Sequence, residues 1–209
     1  MNGAVAGLVL AGGRSTRMGG DDKALLALAG RRLVDHVASR LVPQVSRLAI
    51  SANGDPGRFG LPGVVILPDT LPGGLGPLAG VLAGLEWAAT LPGVTGLVTV
   101  ATDTPFLPLD LVERLSAARS GEGSLAVAAS GDRIHPVDAL WPVAAAGGLR
   151  RFLEAGETYR AMRFLETTGY AAVSFDPIEL PGGAVDPFFN VNTREDLATA
   201  ARLLGETAP

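Results

Sequence analysis

The sequence predicts an α/β protein: a mostly parallel sheet covered by helices on both faces. Two observations carry that prediction. Short apolar runs alternate with segments of helical period through residue 118. The runs are apolar throughout, as strands of a parallel sheet buried on both faces require.

Ala4–Leu10 is the first such run, and it ends in Ala11-Gly12-Gly13, a strand entering a loop. From Leu33, the residues Val34, Val37, Ala38 and Leu41 recur at helical spacing until Pro43 stops them. Leu48–Ser51 and residues 64–67 read as buried strands, and residues 77–90 as a helix with Pro77 at its start. Residues 97–102 form a further strand, followed by a proline-bracketed turn and a helix over 109–118.

After Gly123 the pattern changes. Strand candidates at 125–129 and 137–141 precede helices over 144–155 and 158–168, which reads as a second lobe of the same domain. A strand follows over 171–175 and another over 188–192. A closing helix spans 194–204, with Thr193 as N-cap and Asp196 approximating a capping box. Residues 53–63 and 71–76 read as loops. The expectation is one domain over 1–209, divided near residue 122.

Composition narrows the function. A 209-residue chain, 47% hydrophobic and 18% charged, can bury one sizeable core. A net charge of -4 gives no general footprint for a nucleic acid. The absence of cysteine excludes disulfides, thiolate metal sites and a cysteine nucleophile, and two histidines make no zinc site without several carboxylates. Any metal should therefore be a hard, oxygen-bound ion. Residues 1–10 lack a basic leader, and no apolar run nears the roughly 20 residues of a membrane span, so the expected compartment is the cytoplasm.

Of 17 basic residues, sixteen are arginine and only Lys23 is lysine. Such a bias alone can reflect codon preference or chance. At a phosphate site, however, a compact rotatable ammonium does what a planar guanidinium cannot. Lys23 closes the stretch 10–23, a glycine-rich loop after a strand that also carries Arg14 and Arg17. Glycines let backbone N–H groups approach phosphate oxygens, and the cations add charge-assisted bonds. The loop matches neither a Walker A motif nor the Rossmann fingerprint.

Asp103 follows an apolar strand whose C-terminal end should line the same crevice as the first loop. A carboxylate beside phosphates is a natural Mg2+ ligand. By itself, Asp103 is equally a turn or cap residue.

Together the motifs resemble the molybdenum cofactor guanylyltransferases, within the nucleoside-triphosphate transferase superfamily. The resemblance rests on Leu10-Ala11-Gly12-Gly13 with Arg17-Met18-Gly19-Gly20 and Lys23. It continues through Gly76-Pro77-Leu78-Ala79-Gly80, Asp103-Thr104-Pro105-Phe106, His135-Pro136 and Asn190-Val191-Asn192-Thr193. These stretches span nearly the whole chain in the family's order. Ala101 and Thr102 depart from the family, which carries proline and cysteine there, and residues 156–165 match only loosely.

The resemblance implies a Rossmann-like sheet of the nucleotide-diphospho-sugar transferase type, with a nucleotide half over 1–122 and an acceptor half over 123–209. It implies GTP contacts at Leu10, Ala11, Gly12, Gly13, Lys23, Asn53, Asp69 and Asp103, with Asp103 also the Mg2+ ligand. Lys23, Arg17 and Asp103 would act in catalysis. Asn190, Asn192 and, more weakly, His135 and Arg160 would face the acceptor; without the resemblance, the asparagines read equally as turn residues.

The implied reaction transfers GMP from GTP to molybdenum-bound molybdopterin and releases pyrophosphate. It implies transient contact with molybdenum cofactor insertion or delivery proteins. The attacking phosphate oxygen is already ionised, so no general base is needed. The residues alone leave open a related transferase using CTP or a sugar-phosphate acceptor, and a non-catalytic nucleotide-binding regulator.

Overall fold

The computed structural model describes residues 3–12, 22–121 and 123–205. Strand β1 (Ala4–Leu10) is buried on both faces: Ala6 and Leu8 enter one core, Val9 the other. A short hairpin, β2 (Ala27–Leu28) and β3 (Arg31–Arg32), leads into α1 (Leu33–Leu41). Then come β4 (Leu48–Ser51), β5 (Val65–Leu67), α2 (Pro77–Ala88), β6 (Val94–Ala101) and α3 (Leu111–Ala117). The rest comprises β7 (Ala126–Ser130), β8 (Arg133–Pro142), α4 (Ala146–Ala155), α5 (Ala161–Thr168), β9 (Ala171–Ser174), β10 (Ile178–Leu180), β11 (Gly183–Val185) and α6 (Arg194–Leu203).

Seven strands form one sheet in the order β5-β4-β1-β6-β8-β7-β9. All its pairings are parallel except those of β8, which runs against both β6 and β7. Helices α1 and α3 supply Val34, Val37, Leu41, Leu111 and Leu115 to one core. On the opposite face α2, α4 and α5 supply Leu78, Leu82, Leu149, Leu153 and Phe164. The predicted mostly parallel, doubly covered sheet is therefore found.

The α2 helix can lie this close because two of its residues are glycine. A Cβ on Gly80 would come 2.3 Å from Ser51 Oγ, and one on Gly84 would come 2.5 Å from Leu8 Cδ2. Filling such a contact costs about 1–3 kcal/mol in a packed core.

Two expectations change. Strands β7 to β9 extend the same sheet, and both cores mix residues from the two halves, so no second lobe separates after Gly123. Residues 188–192 are not a strand. Asp186 bends that backbone by accepting from Phe188 N at 2.8 Å, and Asn190 Nδ2 donates back to Phe188 O at 3.1 Å. Such local bonds compete with a sheet ladder. Phe188 and Val191 are buried by packing, not by strand alternation. The β2-β3 and β10-β11 hairpins went unpredicted, being too short for a period to register.

The chain visits β4 on one side of β1 and β6 on the other, so a crevice opens beyond their C-terminal ends. In that register Leu10 faces both Ser51 and Ala101.

Candidate active site

Three strand ends meet at this crevice. Ala11 N donates to Ser51 O at 2.8 Å, and the N–H and hydroxyl of Thr102 both donate to Leu10 O, at 3.2 and 3.1 Å. These bonds fix where Ala11 and Gly12 leave β1 and where Asp103 leaves β6. A Cβ on Gly12 would meet nothing within 4 Å among the described residues. Gly13 and Arg17 lie outside the described residues.

Lys23 starts a single 3-10 turn, Lys23–Leu25, capped by Asp22 Oδ1 accepting from Ala24 N at 3.1 Å. Its ammonium bonds to Asp103 Oδ2 at 2.5 Å and to Asn192 Oδ1 at 2.6 Å. The Lys23 and Asp103 side chains are 13% and 20% exposed, so the pair is shielded without being sealed. Residues 80 and 169 positions beyond Lys23 in the chain thus share its ammonium. Asp103 Oδ1 is buried and, among the described residues, has no hydrogen-bond partner. An orphaned carboxylate oxygen beside an amide oxygen is a hard donor set, suited to a divalent cation completed by phosphate and water. Among the described residues, no group of three or more His, Cys, Asp or Glu side chains could enclose a metal by itself.

Asn53 and Asp69 sit just beyond β4 and β5. Asn53 Nδ2 donates to Asp69 Oδ2 at 2.8 Å while Asp69 N donates to Asn53 Oδ1 at 3.0 Å. The reciprocal pair fixes the amide orientation and keeps carboxylate acceptors at the crevice.

Asn192 is held from behind by α6. Asp196 Oδ2 accepts from Asn192 N at 2.9 Å and Thr193 N at 2.8 Å, and Thr193 Oγ1 accepts from Asp196 N at 3.0 Å. These donors keep the Asp196 carboxyl below its ordinary range, the Asn192 N–H contributing most. The expected capping box is present. Val191 N also donates to Asp103 O at 2.8 Å, joining this segment to the end of β6.

His135 lies beneath the segment, 4% exposed, with its ring stacked on Phe188 at 4.5 Å. Its Nε2 is 2.8 Å from Ser130 Oγ, whose hydroxyl donates to Asp186 Oδ2 at 2.8 Å. Since the serine proton is committed to Asp186, Nε2 must donate, which sets the tautomer. Burial lowers the His135 pKa, against the pull of Asp186 and with the help of Arg133. Its ring is thus engaged within the fold and supports the 186–192 segment. Asn190 turns its amide back onto Phe188 O, and Arg160 is an exposed residue at the start of α5.

Two residues went unread in the sequence. Asp138 on β8 is 3% exposed and accepts from Ala101 N at 3.1 Å, two residues before Asp103. Burial pushes its pKa up to about 7, partly offset by the Ala101 N–H and reinforced by the nearby Asp103 charge. The signal was a carboxylate inside the apolar run Val137-Asp138-Ala139-Leu140-Trp141. Arg58 bridges the two sides of the crevice, and its position in the turn sequence gave no sign of that.

Residues 7–172 match the MobA-like NTP transferase domain. The chain is 52% identical over 201 residues to a molybdenum cofactor guanylyltransferase of Mesorhizobium japonicum, with 96% of each protein covered. The chain belongs to the molybdenum cofactor guanylyltransferase family. It is accordingly a nucleotidyltransferase. Its fold is similar to that of the molybdopterin-guanine dinucleotide biosynthesis protein A from Archaeoglobus fulgidus. That match has a TM-score of 0.69 at 21% identity, covering 96% of this chain and 98% of that one. A Mycobacterium tuberculosis protein solved in complex with manganese matches at a TM-score of 0.63 and 17% identity, covering 96% of this chain and 99% of that one. Among the described residues no helix is long and apolar enough to cross a membrane.

Proposed function

We propose that this guanylyltransferase transfers GMP from GTP to the terminal phosphate of molybdenum-bound molybdopterin, at the crevice beyond β1, β4 and β6. The observation that carries the reading is the convergence of Lys23, Asp103 and Asn192 on one point at the strand ends. Gly12 offers backbone to the triphosphate, with Leu10 and Ala11 holding the strand end through their bonds to Thr102 and Ser51, and Asn53 with Asp69 offers acceptors to the two adjacent donors of guanine.

Asp103 and Asn192 are the oxygen donors that would hold Mg2+, the orphaned Asp103 Oδ1 being the site's vacant acceptor. When bound there, the ion would neutralise charge on the phosphates. Lys23 leaves its contacts with Asp103 and Asn192 to meet phosphate oxygens, and stabilises charge on the departing pyrophosphate. Arg17 is assigned to the same task. Asn192 is assigned to the acceptor phosphate, while Asn190, bonded back to Phe188 O, and His135, stacked on Phe188, act through their support of that loop. The acceptor oxygen bonds to the α-phosphorus as the bond to the bridging oxygen of pyrophosphate breaks, and no proton has to move.

A pyrophosphate-release assay with GTP, CTP and ATP, with and without molybdenum-loaded molybdopterin, tests this reading. Release should require both GTP and the acceptor. Equal release with CTP would defeat the base assignment. GTP binding without release would make the chain a regulator.

A further inference from the structure

Arg58 lies in the 3-10 turn Pro56–Phe59, capped by Asp55 Oδ1 accepting from Gly57 N at 2.9 Å. Its Nη1 donates to Asn53 O at 2.7 Å and to Asp55 O at 3.1 Å. Its Nε lies 2.7 Å from Asp22 Oδ2, and the two side chains are 23% and 24% exposed. The Nε–H is not aligned for a hydrogen bond, so charge attraction carries that contact. The guanidinium lies over the fully buried Phe59 ring, 4.6 Å from its centroid, which restricts its movement.

Each end of this bridge matters to a different part of the nucleotide site. Asn53 orients Asp69 through two hydrogen bonds. Asp22 uses its other oxygen to cap the turn that begins at Lys23. One planar guanidinium therefore holds a carbonyl on the base side and a carboxylate on the phosphate side. A lysine could not span both, because its ammonium is a single point of charge. An ordinary surface ion pair contributes little, but here the same group also fixes backbone of a neighbouring loop.

We infer that Arg58 is a positioning residue that couples base recognition to phosphate binding, by holding the Asn53 segment and the Lys23 turn against one another. The inference rests on the reading that Asn53 and Asp69 meet the base and Lys23 the phosphates. A displacement of Asn53 reaches Lys23 through Arg58, Asp22 and Ala24.

Calorimetric binding of GTP, inosine triphosphate and tripolyphosphate to the full chain tests it. Inosine lacks the exocyclic amine of guanine, and tripolyphosphate has no base at all. In Arg58→Met, tripolyphosphate should bind about five- to tenfold more weakly, and the preference for GTP over inosine triphosphate should fall about fivefold. Asp22→Asn preserves the cap, since an amide oxygen also accepts from Ala24 N, and removes only the ionic link. It should reproduce both losses, and the double variant should add nothing to Arg58→Met.

Both quantities within about twofold of wild type in the two single variants would overturn the coupling, as would losses that multiply in the double variant. An Asp69→Asn control separates the two ideas. If it leaves the preference for GTP intact, the base assignment is wrong and the inference falls with it. If it removes the preference while Arg58→Met and Asp22→Asn bind as wild type, only the coupling is overturned.

Discussion

Asn53 and Asp69, beyond β4 and β5, hold each other through two hydrogen bonds at the surface, whereas Lys23 and Asp103, beyond β1 and β6, are closed on each other with Asn192. The first pair presents its remaining acceptors as it stands. The second must open, because a lysine bonded to Asp103 cannot at the same time give all its donors to phosphate. Lys23 neutralises Asp103, and a half-buried carboxylate without a counter-charge would be costly. If Asn53 and Asp69 meet the base and Lys23 and Asp103 the phosphates, as proposed, the two sides should respond differently to mutation, in binding on the one hand and in rate on the other.

The largest effect is expected on the phosphate side. Lys23→Ala and Asp103→Ala should each lower the rate of transfer by roughly 10²–10⁴-fold while the thermal melt keeps its cooperativity. Steady-state kinetics beside a melting curve would check this, and near wild-type transfer in either variant would sink the assignment. Lys23→Arg keeps the charge and changes the geometry. Full activity there would mean that the lone lysine is incidental.

Asp138 sharpens the same side through stability. Its carboxyl is pushed from 3.8 to about 7 in the folded protein, so it is neutral when folded at pH values where the unfolded chain has ionised it. The stability it favours is full below about pH 4 and is lost as pH rises toward and through about 7. The shift corresponds to about 4 kcal/mol at most. Asp138→Asn keeps an acceptor for Ala101 N and removes the titration. Urea unfolding at pH 5 and pH 8 should show a smaller loss in the variant than in the wild type.

Asn192→Ala should reduce transfer about tenfold to thirtyfold, because the proposed metal site loses one of its two oxygen donors while Asp196 still holds the backbone. The smallest effect belongs to the base side. Asp69→Asn should raise the KM for GTP about tenfold with kcat within about twofold of wild type, as expected where binding is equal in ground and transition states. A fall in kcat matching that of Lys23→Ala would erase the distinction between the two sides.

Legibility in the sequence followed the same division. The placement of Leu10 to Gly12, Lys23 and Asp103 at neighbouring strand ends was readable because a strand, its exit loop and the residue after a second strand have local signatures, and a parallel sheet brings strand ends together. Arg58 and Asp138 were not, because their partners are contributed by distant parts of the chain. Asp138 interrupts an apolar run, but its partner Ala101 N is supplied only once β6 lies beside β8. The 188–192 segment misled for a related reason: its apolar residues fill a core, while Asp186 and Asn190 dictate a turned backbone.

The sequence by itself determined the α/β class, the order of the main elements, and the capping box at Thr193 and Asp196. These depend on periodicity, composition and neighbours a few residues apart. Tertiary structure alone decided that Lys23 rests on Asp103 and Asn192, that His135 supports a loop from within, and that Arg58 reaches across to Asp22. Each of those contacts joins residues far apart in the chain, and their energies depend on burial and distance, which only the folded sheet defines.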